Sequence, residues 1–510
     1  MPVLQRISLT LILVAILGGC SSLPEGIDHP AEPYTSYGPS TLSVLADEYQ
    51  PQASDQATTA VRLQESGWDA LAQRLALVES AEHTIDIQYY IWNSDESGRY
   101  LASRLLAAAD RGVKVRVMLD DINLNEREGL LSALDAHPNV EIRIFNPTPT
   151  RRGFSKWLSF VGDFSRLNRR MHNKSFTVDS TLSVVGGRNI GDEYFDLSDE
   201  INFRDRDVLV MGSVVNTIQT SFIEYWNSRW SYPVDMLGDD EQPDLSKIDN
   251  IVAPHYQNYP ELPLNPEAAD SLLKEVIGEM IWVNARFVYD PPVPIDSDNT
   301  DQPKATAVLL GKLASESKQE ILLESAYLVF DDGQLDEWQS LSNNNVEIKA
   351  LTNSMASNDL VSNHSAYAGR RSDMLEHGID LFELKPESKL CEESTQDAAK
   401  CAPTTAYGLH AKSVVFDRSI ASIGSFNFNL RSTYLNTESV LIIENKEIAE
   451  TLAETIEQAM SEDNSWRLEL EDGDVYWYSG EQSWDSEPET GKWERMQSGF
   501  LQLLPIEKYL

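Results

Sequence analysis

The chain has 510 residues, of which 41% are hydrophobic and 24% are charged, which is typical of globular proteins and unlike disordered chains. This length allows two or more domains with a large core. The formal net charge of -40 argues against a nucleic-acid-binding surface, since such surfaces need Lys and Arg to meet phosphates. The charge does not exclude a local basic pocket for one phosphate group.

The N-terminus has the pattern of a secretory signal. An apolar run from Ile7 to Leu17 is too short to cross a bilayer comfortably. It ends in Gly18-Gly19-Cys20 followed by two serines, which resembles the lipobox of bacterial lipoproteins. We therefore predict a signal peptide at 1–19 and lipidation of Cys20, with a plain secretory signal or a signal anchor as the alternative. Ser after the cysteine favours the outer membrane of a bacterial envelope, facing the periplasm.

The other two cysteines predict a disulfide. Residues 20–60 are rich in Pro, Ser, Gly and Asp and indicate a lipid anchor followed by a linker. With Cys20 assigned to lipidation, Cys391 and Cys401 remain, an even number in an oxidising compartment. They bracket a polar stretch that a disulfide would close. The alternative is two free thiols in a mobile loop.

The rest of the chain is an internal duplication. Both copies predict strand, helix, strand, helix, strand, which indicates an α/β fold with a mostly parallel sheet. Two similar α/β/α halves suggest pseudo-twofold packing with the active site at their interface. The segments 81–90, 111–120 and 140–145 correspond to 317–326, 344–353 and 379–384. We predict a first half at 61–235, a connection at 236–268, a second half at 269–465 and an aromatic tail at 466–510 that packs on a domain or, alternatively, meets a membrane interface.

Each half ends in the same polar motif at identical spacing. A single His-x-Lys would be weak evidence, but two copies at matched places in a repeat are strong evidence. The alternative, a pair of buried structural histidines, does not account for the duplication. The first copy comprises His172, Lys174, Asp179 and Asn189, and the second comprises His410, Lys412, Asp417, Ser425 and Asn427.

The spacing also predicts a hairpin geometry. Residues two apart share a face of a strand, so each histidine should lie beside its lysine. A tight turn after each aspartate would place His172 opposite Asn189 and His410 opposite Asn427. The two aspartates should then shape the turns more than touch a substrate.

These residue types suit phosphodiester transfer. One histidine can act as nucleophile and the other as general acid, while two lysines offset charge on the phosphate oxygens. Asn189, Ser425 and Asn427 would add hydrogen bonds to the phosphate. A covalent phosphohistidine splits the reaction into two steps, and the second acceptor is water in hydrolysis or an alcohol in transfer. No metal or cofactor is required, and no metal-ligand spacing is evident.

Two carboxylates are candidates to orient the histidines. A histidine works best in either role when an acceptor holds its other ring nitrogen. Glu438 follows the second motif, and we assign it to His410. Asp205 is its counterpart in the first half, and we assign it to His172. The alternative is that both are surface carboxylates.

The two motifs resemble those of the phospholipase D superfamily. The resemblance covers nearly everything from Val61 to the end and is similar to bacterial cardiolipin synthases of the C-like group. It implies transfer of a phosphatidyl group from one phospholipid, possibly phosphatidylethanolamine, to phosphatidylglycerol, with His172 more often the nucleophile and His410 the acid. One departure is Gly187 in the first motif where the second has Ser425. Further matching segments are Gln88–Trp92, Arg111–Val113, Leu119–Asp121, Leu351–Ser354, Tyr367–Arg371 and Leu504–Glu507.

The sequence leaves three other functions open. A phospholipase D hydrolase that releases phosphatidic acid would share every catalytic residue with the transferase. A nucleic-acid phosphodiesterase is disfavoured by the charge and the lipobox-like segment. A non-enzymatic lipoprotein scaffold would have no need of both motifs. The sequence identifies no protein partner.

Overall fold

A computed structural model describes residues 32, 37–50, 57–124, 128–148, 164–237, 248, 251–256, 259–292, 302–395 and 398–502. Cys20, the predicted signal peptide and the closing segment 504–507 lie outside these residues. No helix within the described ranges is long and apolar enough to cross a membrane.

The structure alternates strands and helices, as predicted from the sequence. The strands are β1 (Thr59–Gln64), β2 (Thr84–Tyr89), β3 (Lys114–Asp120), β4 (Val140–Phe145), β5 (Ser175–Val178), β6 (Leu182–Gly186), β7 (Ile201–Arg204), β8 (Asp207–Gly212), β9 (Ser231–Pro233), β10 (Ile281–Tyr289), β11 (Glu320–Ser325), β12 (Glu347–Asn353), β13 (Asp380–Leu384), β14 (Ala406–Leu409), β15 (Lys412–Phe416), β16 (Ile420–Gly424), β17 (Ser439–Glu444), β18 (Ser465–Glu471), β19 (Asp474–Ser479) and β20 (Gln482–Trp484).

The helices follow the strands at the faces of the sheet. Several begin at a side chain that caps the first turn, such as Ser66, Asp95 and Asn445, which saturates backbone N–H groups that a helix leaves unpaired. The helices are α1 (Thr41–Glu48), α2 (Gly67–Ser80), α3 (Glu96–Asp110), α4 (Glu128–Asp135), α5 (Phe164–Leu167), α6 (Ser213–Trp226), α7 (Pro266–Gly278), α8 (Ala305–Glu316), α9 (Asp332–Asn343), α10 (Val361–Glu376), α11 (Leu390–Thr395), α12 (Leu430–Tyr434), α13 (Lys446–Met460) and α14 (Lys492–Leu501).

One 18-stranded sheet runs through both halves. Its neighbouring strands are, in order, β9, β4, β3, β2, β5, β6, β8, β1, β10, β17, β16, β15, β11, β12, β13, β18, β19 and β20. The order is the same when read outward from the central antiparallel pair β1–β10, so the two halves are related by a pseudo-twofold axis at that pair. The fold class predicted from the repeat is therefore confirmed.

The prediction of a mostly parallel sheet is wrong. Within the described part of this sheet, the parallel pairings are β2–β3 and β3–β4 and their counterparts β11–β12 and β12–β13. The motif strands return through short turns, and a short turn can join only antiparallel neighbours. The helical crossovers account for the parallel part alone.

A shared core fixes the two halves against each other. One buried cluster contains Val61 and Val208 from the first half and Val283 and Leu441 from the second. Each such side chain contributes roughly 1.5–3 kcal/mol when fully buried, so the interface is part of the folded core. The site at this interface is thus held by core packing from both sides.

The motif hairpins differ from the prediction by one residue in register. Val178 lies opposite Leu182, and Phe416 lies opposite Ile420, so three residues form each turn. The predicted pairings of His172 with Asn189 and of His410 with Asn427 are therefore wrong. Asp179 has a positive φ of 48° and its carboxylate accepts hydrogen bonds from the backbone of the segment that leads into β2. These contacts draw the turn towards β2 and leave room for a third turn residue.

The described part of the tail packs on the second half. Strand β18 pairs with β13, and β19 and β20 extend the sheet from there. The indole of Trp477 is buried and donates a hydrogen bond of 2.8 Å to Glu383. The residues from 465 to 484 therefore belong structurally to the second half.

Candidate active site

Two short parallel contacts between the halves build the site. Strand β14 pairs with β7, with Leu409 opposite Arg204, and Met171 forms a matching parallel bridge with Thr437. The next residue on each strand is a motif histidine on one side and a carboxylate on the other. The backbone therefore delivers each histidine to an acidic residue of the opposite half.

The histidine–carboxylate pairs are crossed between the halves. Nδ1 of His172 lies 2.8 Å from Oε2 of Glu438, and Nδ1 of His410 lies 2.5 Å from Oδ2 of Asp205. The structure brings all four predicted residues together, but the predicted assignment of Glu438 to His410 and of Asp205 to His172 is wrong. Each carboxylate follows a motif in its own half, yet the parallel contacts carry it across the pseudo-twofold axis.

Both histidines are buried, and burial sets their charge state. Loss of solvent lowers the pKa of His172 to about 4 and that of His410 to about 3, and the nearby lysine charges act in the same direction. Burial opposes ionisation of Glu438, but its hydrogen bond with His172 and the charge of Lys174 outweigh this effect and lower the pKa of the carboxyl. The two imidazoles are therefore neutral, and their Nδ1–H groups donate to ionised carboxylates.

The two motif lysines serve one common site. Nζ of Lys174 donates a 2.7 Å hydrogen bond to the carbonyl of His172, and Lys412 makes the same contact with the carbonyl of His410. Burial lowers the pKa of Lys174 to about 7 and that of Lys412 to about 8. The charge of each lysine lowers the pKa of both histidines, so the two motifs form one electrostatically coupled site.

The predicted phosphate donors have other contacts in the structure. The Ser425 hydroxyl donates a hydrogen bond of 2.5 Å to Glu438 and accepts one from the backbone N–H of Ser439. The side-chain amide of Asn189 donates a hydrogen bond of 3.0 Å to the Tyr194 hydroxyl. Ser425 and Asn189 therefore support the neighbours of the histidines. Asn427 is buried, and its Oδ1 has no hydrogen-bond partner among the described residues.

Gly187 occupies the place in the first half that Ser425 has in the second. A Cβ atom at Gly187 would lie 2.2 Å from Oδ1 of Asp205, closer than any real Cβ contact. The aspartate is one methylene shorter than Glu438, so its carboxylate sits where the serine side chain would be. The departure of the first motif from the second thus follows from the choice of carboxylate.

Asp179 and Asp417 lie at the far ends of the hairpins. Asp179 accepts backbone hydrogen bonds from Glu82, His83 and Thr84. Asp417 accepts the equivalent bonds from residues 318–320. The two aspartates therefore fasten each motif strand to its neighbour and do not face the histidines.

Several site residues were not predicted from the sequence. The ring of Tyr90 packs edge-on against His172 at 4.8 Å between centroids, and Tyr194 packs in the same way against His410 at 5.0 Å. Nζ of Lys174 also lies 5.6 Å from the centre of the Tyr90 ring. Tyr90 directly follows the strand next to the first motif strand, which was the available signal. The position of Tyr194 depends on a loop, and no sequence signal indicated it.

Cys391 and Cys401 are joined by a disulfide. Both cysteines are buried in the cluster shared by the two halves. The loop that they close leads into β14, the strand that ends at Leu409, directly before His410. The disulfide therefore supports the segment that carries the second motif.

Comparisons with known proteins identify the family. A family model described as "Cardiolipin synthase, PLD-like domain" matches residues 75–226 and 310–460. The chain is 37% identical over 457 residues to cardiolipin synthase C of Escherichia coli (strain K12), covering 87% of this chain and 94% of that protein. It is 26% identical over 395 residues to the major cardiolipin synthase of Bacillus subtilis (strain 168), covering 77% and 67%.

A solved structure shares the fold. The phosphatidylserine synthase of Haemophilus influenzae Rd KW20 superposes with a TM-score of 0.56 at 12% identity, covering 89% of this chain and 97% of that chain. Each range matched by the family model contains one His-x-Lys motif and its hairpin. The chain therefore belongs to the cardiolipin synthase family of phospholipase D-like phosphatidyltransferases.

Proposed function

We propose that this protein forms cardiolipin from phosphatidylglycerol and a second phospholipid through a phosphohistidine intermediate. The observation that carries the proposal is the pair of cross-braced histidines, each held at Nδ1 by a carboxylate of the opposite half. This contact fixes the tautomer and directs Nε2 towards the reacting phosphate. Two such nitrogens would suit double displacement at one phosphate.

In the first step, Nε2 of His172 attacks phosphorus of the donor lipid. The bond from phosphorus to the head-group oxygen breaks, and His410, which takes up a proton at Nε2 when the anionic donor binds, protonates that oxygen. The lysines offset the charge of the non-bridging oxygens throughout. A neutral His172 is the form that can attack, and its lowered pKa keeps it neutral near pH 7.

In the second step, a primary hydroxyl of phosphatidylglycerol attacks the phosphohistidine. Neutral His410 takes the proton of that hydroxyl, the new phosphorus–oxygen bond forms, and the bond to His172 breaks. His410 must therefore gain and lose one proton per cycle. Approach of the anionic phosphodiester raises the pKa of His410 from its low value in the ligand-free site, because it adds negative charge beside the ring.

A hydrolase is the second candidate function. It would use the same first step and water in the second, and it would release phosphatidic acid. The relatives named cardiolipin synthase favour transfer, since they match the chain over most of its length. The two functions differ only in which acceptor reaches the intermediate.

A product assay tests the proposal. Detergent-solubilised protein is incubated with phosphatidylglycerol, alone and with phosphatidylethanolamine, and the lipids are identified by mass spectrometry. We expect cardiolipin from the wild type and none from His172→Ala. The exposed histidine variant His255→Ala is the matched control and should retain activity. Phosphatidic acid as sole product would support the hydrolase, and absence of any product would contradict both.

We also propose that the protein is anchored by lipidation at Cys20 and faces the periplasm from the outer membrane. The lipobox-like segment supports this, and several acyl chains on one cysteine give stable attachment. In cells, Cys20→Ser should move the protein out of the outer-membrane fraction, and the mass of the N-terminal peptide of the wild type should include the acyl groups. An unmodified Cys20 in the membrane fraction would contradict the anchor.

A further inference from the structure

A loop outside the two motifs runs directly beside the second histidine. It begins at Asn353, the last residue of β12, whose side-chain amide makes paired hydrogen bonds of 2.6 and 2.7 Å with the backbone of Leu409. Leu409 is the residue before His410. The Ser357 hydroxyl then ties the loop to the end of β13 through a 2.9 Å bond to the carbonyl of Leu384. The loop is therefore fixed relative to His410.

The loop ends in the carboxylate of Asp359, which contacts Tyr327. The Tyr327 hydroxyl lies 2.9 and 3.0 Å from the two carboxylate oxygens of Asp359. Tyr327 follows β11, whose last residue Ser325 is the strand partner of Lys412. The negative charge of Asp359 favours the charged form of Lys412 and opposes ionisation of Tyr194, the ring that packs against His410. Asp359 therefore belongs to the His410 side of the site.

Asp359 is solvent-exposed, in contrast to the buried carboxylates that hold the histidines. Its carboxylate contacts Tyr327, and a carboxylate can accept several hydrogen bonds. A negative charge near the phosphate site opposes binding of an anionic phosphodiester. A compensating contact with a hydrogen-bond donor of the substrate would account for its position.

We propose that Asp359, oriented by Tyr327, accepts a hydrogen bond from a hydroxyl of the head-group alcohol that enters or leaves beside His410. This inference rests on the proposed function and specifies its alcohol site. The glycerol head group of phosphatidylglycerol carries two hydroxyls. One attacks phosphorus and passes its proton to His410, and the other reaches Asp359. Water has no second hydroxyl to offer, so the contact favours transfer over hydrolysis.

The test compares acceptors that differ in their second hydroxyl. The full-length, detergent-solubilised enzyme receives phosphatidylglycerol as donor and either deuterium-labelled glycerol or ethanol as the soluble acceptor. The label distinguishes the phosphatidylglycerol formed by transfer from the unlabelled donor. Mass spectrometry measures the transfer product relative to phosphatidic acid. We expect Asp359→Asn to lower this ratio about tenfold for glycerol, because a hydrogen bond to a charged group is lost. The ratio for ethanol should remain within about twofold of the wild type.

Two further variants complete the design. Tyr327→Phe should lower the glycerol ratio in the same direction by a smaller factor, since the carboxylate remains but is no longer oriented. Asp110→Asn is the matched control, because this exposed carboxylate pairs with His137 near the beginning of β3, whereas the site lies at the other end of that strand. It should give wild-type ratios with both acceptors.

The outcomes separate this inference from the proposed function. An Asp359→Asn enzyme with an unchanged glycerol ratio, or with glycerol and ethanol ratios lowered alike, overturns the alcohol site while leaving the transferase intact. The same holds if Asp110→Asn shifts the glycerol ratio as much. A wild type that makes neither cardiolipin nor a transfer product with either soluble acceptor refutes the proposed function, and the inference fails with it.

Discussion

The two histidine sites have the same backbone but different surroundings. Glu438, which holds His172, also accepts hydrogen bonds of 2.5 Å from Ser425 and 2.7 Å from Ser432. Asp205, which holds His410, accepts a hydrogen bond of 2.7 Å from the backbone N–H of Arg206. Gly187 lies beside it at the position that a serine occupies in the other site. The duplication thus preserved the crossing of the halves while the carboxylate supports diverged.

The charges around the two sites also differ. The positive charge of Arg431 favours ionisation of Tyr90 and Glu438 near His172. The negative charge of Asp359 instead favours the charged form of Lys412 near His410. Positive charge near His172 suits the phosphate that is bonded to the nucleophile. Negative charge near His410 suits a hydroxyl group that donates a hydrogen bond. We expect the two histidines to have different tasks in spite of their matched motifs.

The largest expected effect separates the tasks of the histidines. His172→Ala and His410→Ala should each lower turnover on the order of 10⁴-fold or more. A donor with a good leaving group, such as a p-nitrophenyl phosphodiester, needs no acid for the first step. With this donor, His410→Ala should still release a burst of p-nitrophenol and accumulate phosphorylated protein, whereas His172→Ala should do neither.

Intact-protein mass spectrometry after rapid quenching measures the adduct. Peptide mapping should place it on His172. An adduct on His410 in the His172→Ala variant would reverse the assignment of nucleophile and acid. Equal adducts in both single variants would show that the two sites have not diverged in task.

The crossed pairing predicts a specific pattern of coupling. Glu438→Gln and Asp205→Asn should each lower turnover about 10³-fold, because an amide no longer favours the productive tautomer and charge of the histidine. Glu438→Gln should add little to the loss in His172→Ala, since both act on one ring, but should add to the loss in His410→Ala. Steady-state rates of the single and double variants measure these couplings.

The opposite pattern would contradict the crossing. If Glu438→Gln were instead non-additive with His410→Ala, each carboxylate would serve the histidine of its own half. The conservative variants Glu438→Asp and Asp205→Glu test whether carboxylate length matters. Each should recover less than the full rate, because the space beside each carboxylate is matched to one side-chain length.

Much of the fold followed from the sequence because repeats and alternation are local patterns. The corresponding strands β2 and β11, β3 and β12, and β4 and β13 lie where the repeat predicts them. The direction of strand neighbours did not follow, because it depends on how short turns and long crossovers combine in one sheet. The hairpin register failed for a similar reason. Contacts of Asp179 with another strand set the turn length, and such contacts have no local signature.

The site was predictable in its members and not in its pairing. The identity of His172, His410, Glu438 and Asp205 followed from motif and sequence position. Their partners depend on two parallel contacts between halves, Leu409 with Arg204 and Met171 with Thr437, which no spacing encodes. Tyr327 and Asp359 entered the site through loops in the same way. Residues that act across an interface are the part that a single sequence leaves open.

Exchange of the residue that differs between the motifs tests the comparison directly. Gly187→Ser introduces a Cβ within 2.2 Å of Oδ1 of Asp205, so it should displace that carboxylate and lower turnover about 100-fold. Ser425→Gly removes one hydrogen bond to Glu438 and should lower turnover only about tenfold. Steady-state assays, with circular dichroism to confirm folding, measure both. Equal losses would mean that the two carboxylate supports are equivalent.

The smallest expected effect concerns a property that both sites share, the burial of a neutral histidine. Burial holds the pKa of His172 at about 4, whereas an unfolded histidine has a pKa of about 6.5. Between these values the unfolded state binds a proton that the native state does not bind. Stability from this group is therefore present above pH 6.5 and is lost as the pH falls towards 4. His410 should behave in the same way, since its pKa is lowered to about 3 by the same cause.

Urea unfolding at pH 7 and pH 5 measures this contribution as a difference between variants. The free energy of unfolding of the wild type should fall by about 2 kcal/mol more than that of His172→Gln over this range, and likewise for His410→Gln. His255→Gln removes an exposed histidine and should keep the wild-type slope. A wild-type slope in His172→Gln would mean that His172 is as protonated in the native state as in the unfolded state. Its pKa in the native state would then lie at about 6.5, and burial would not be the reason that the nucleophile is neutral at pH 7.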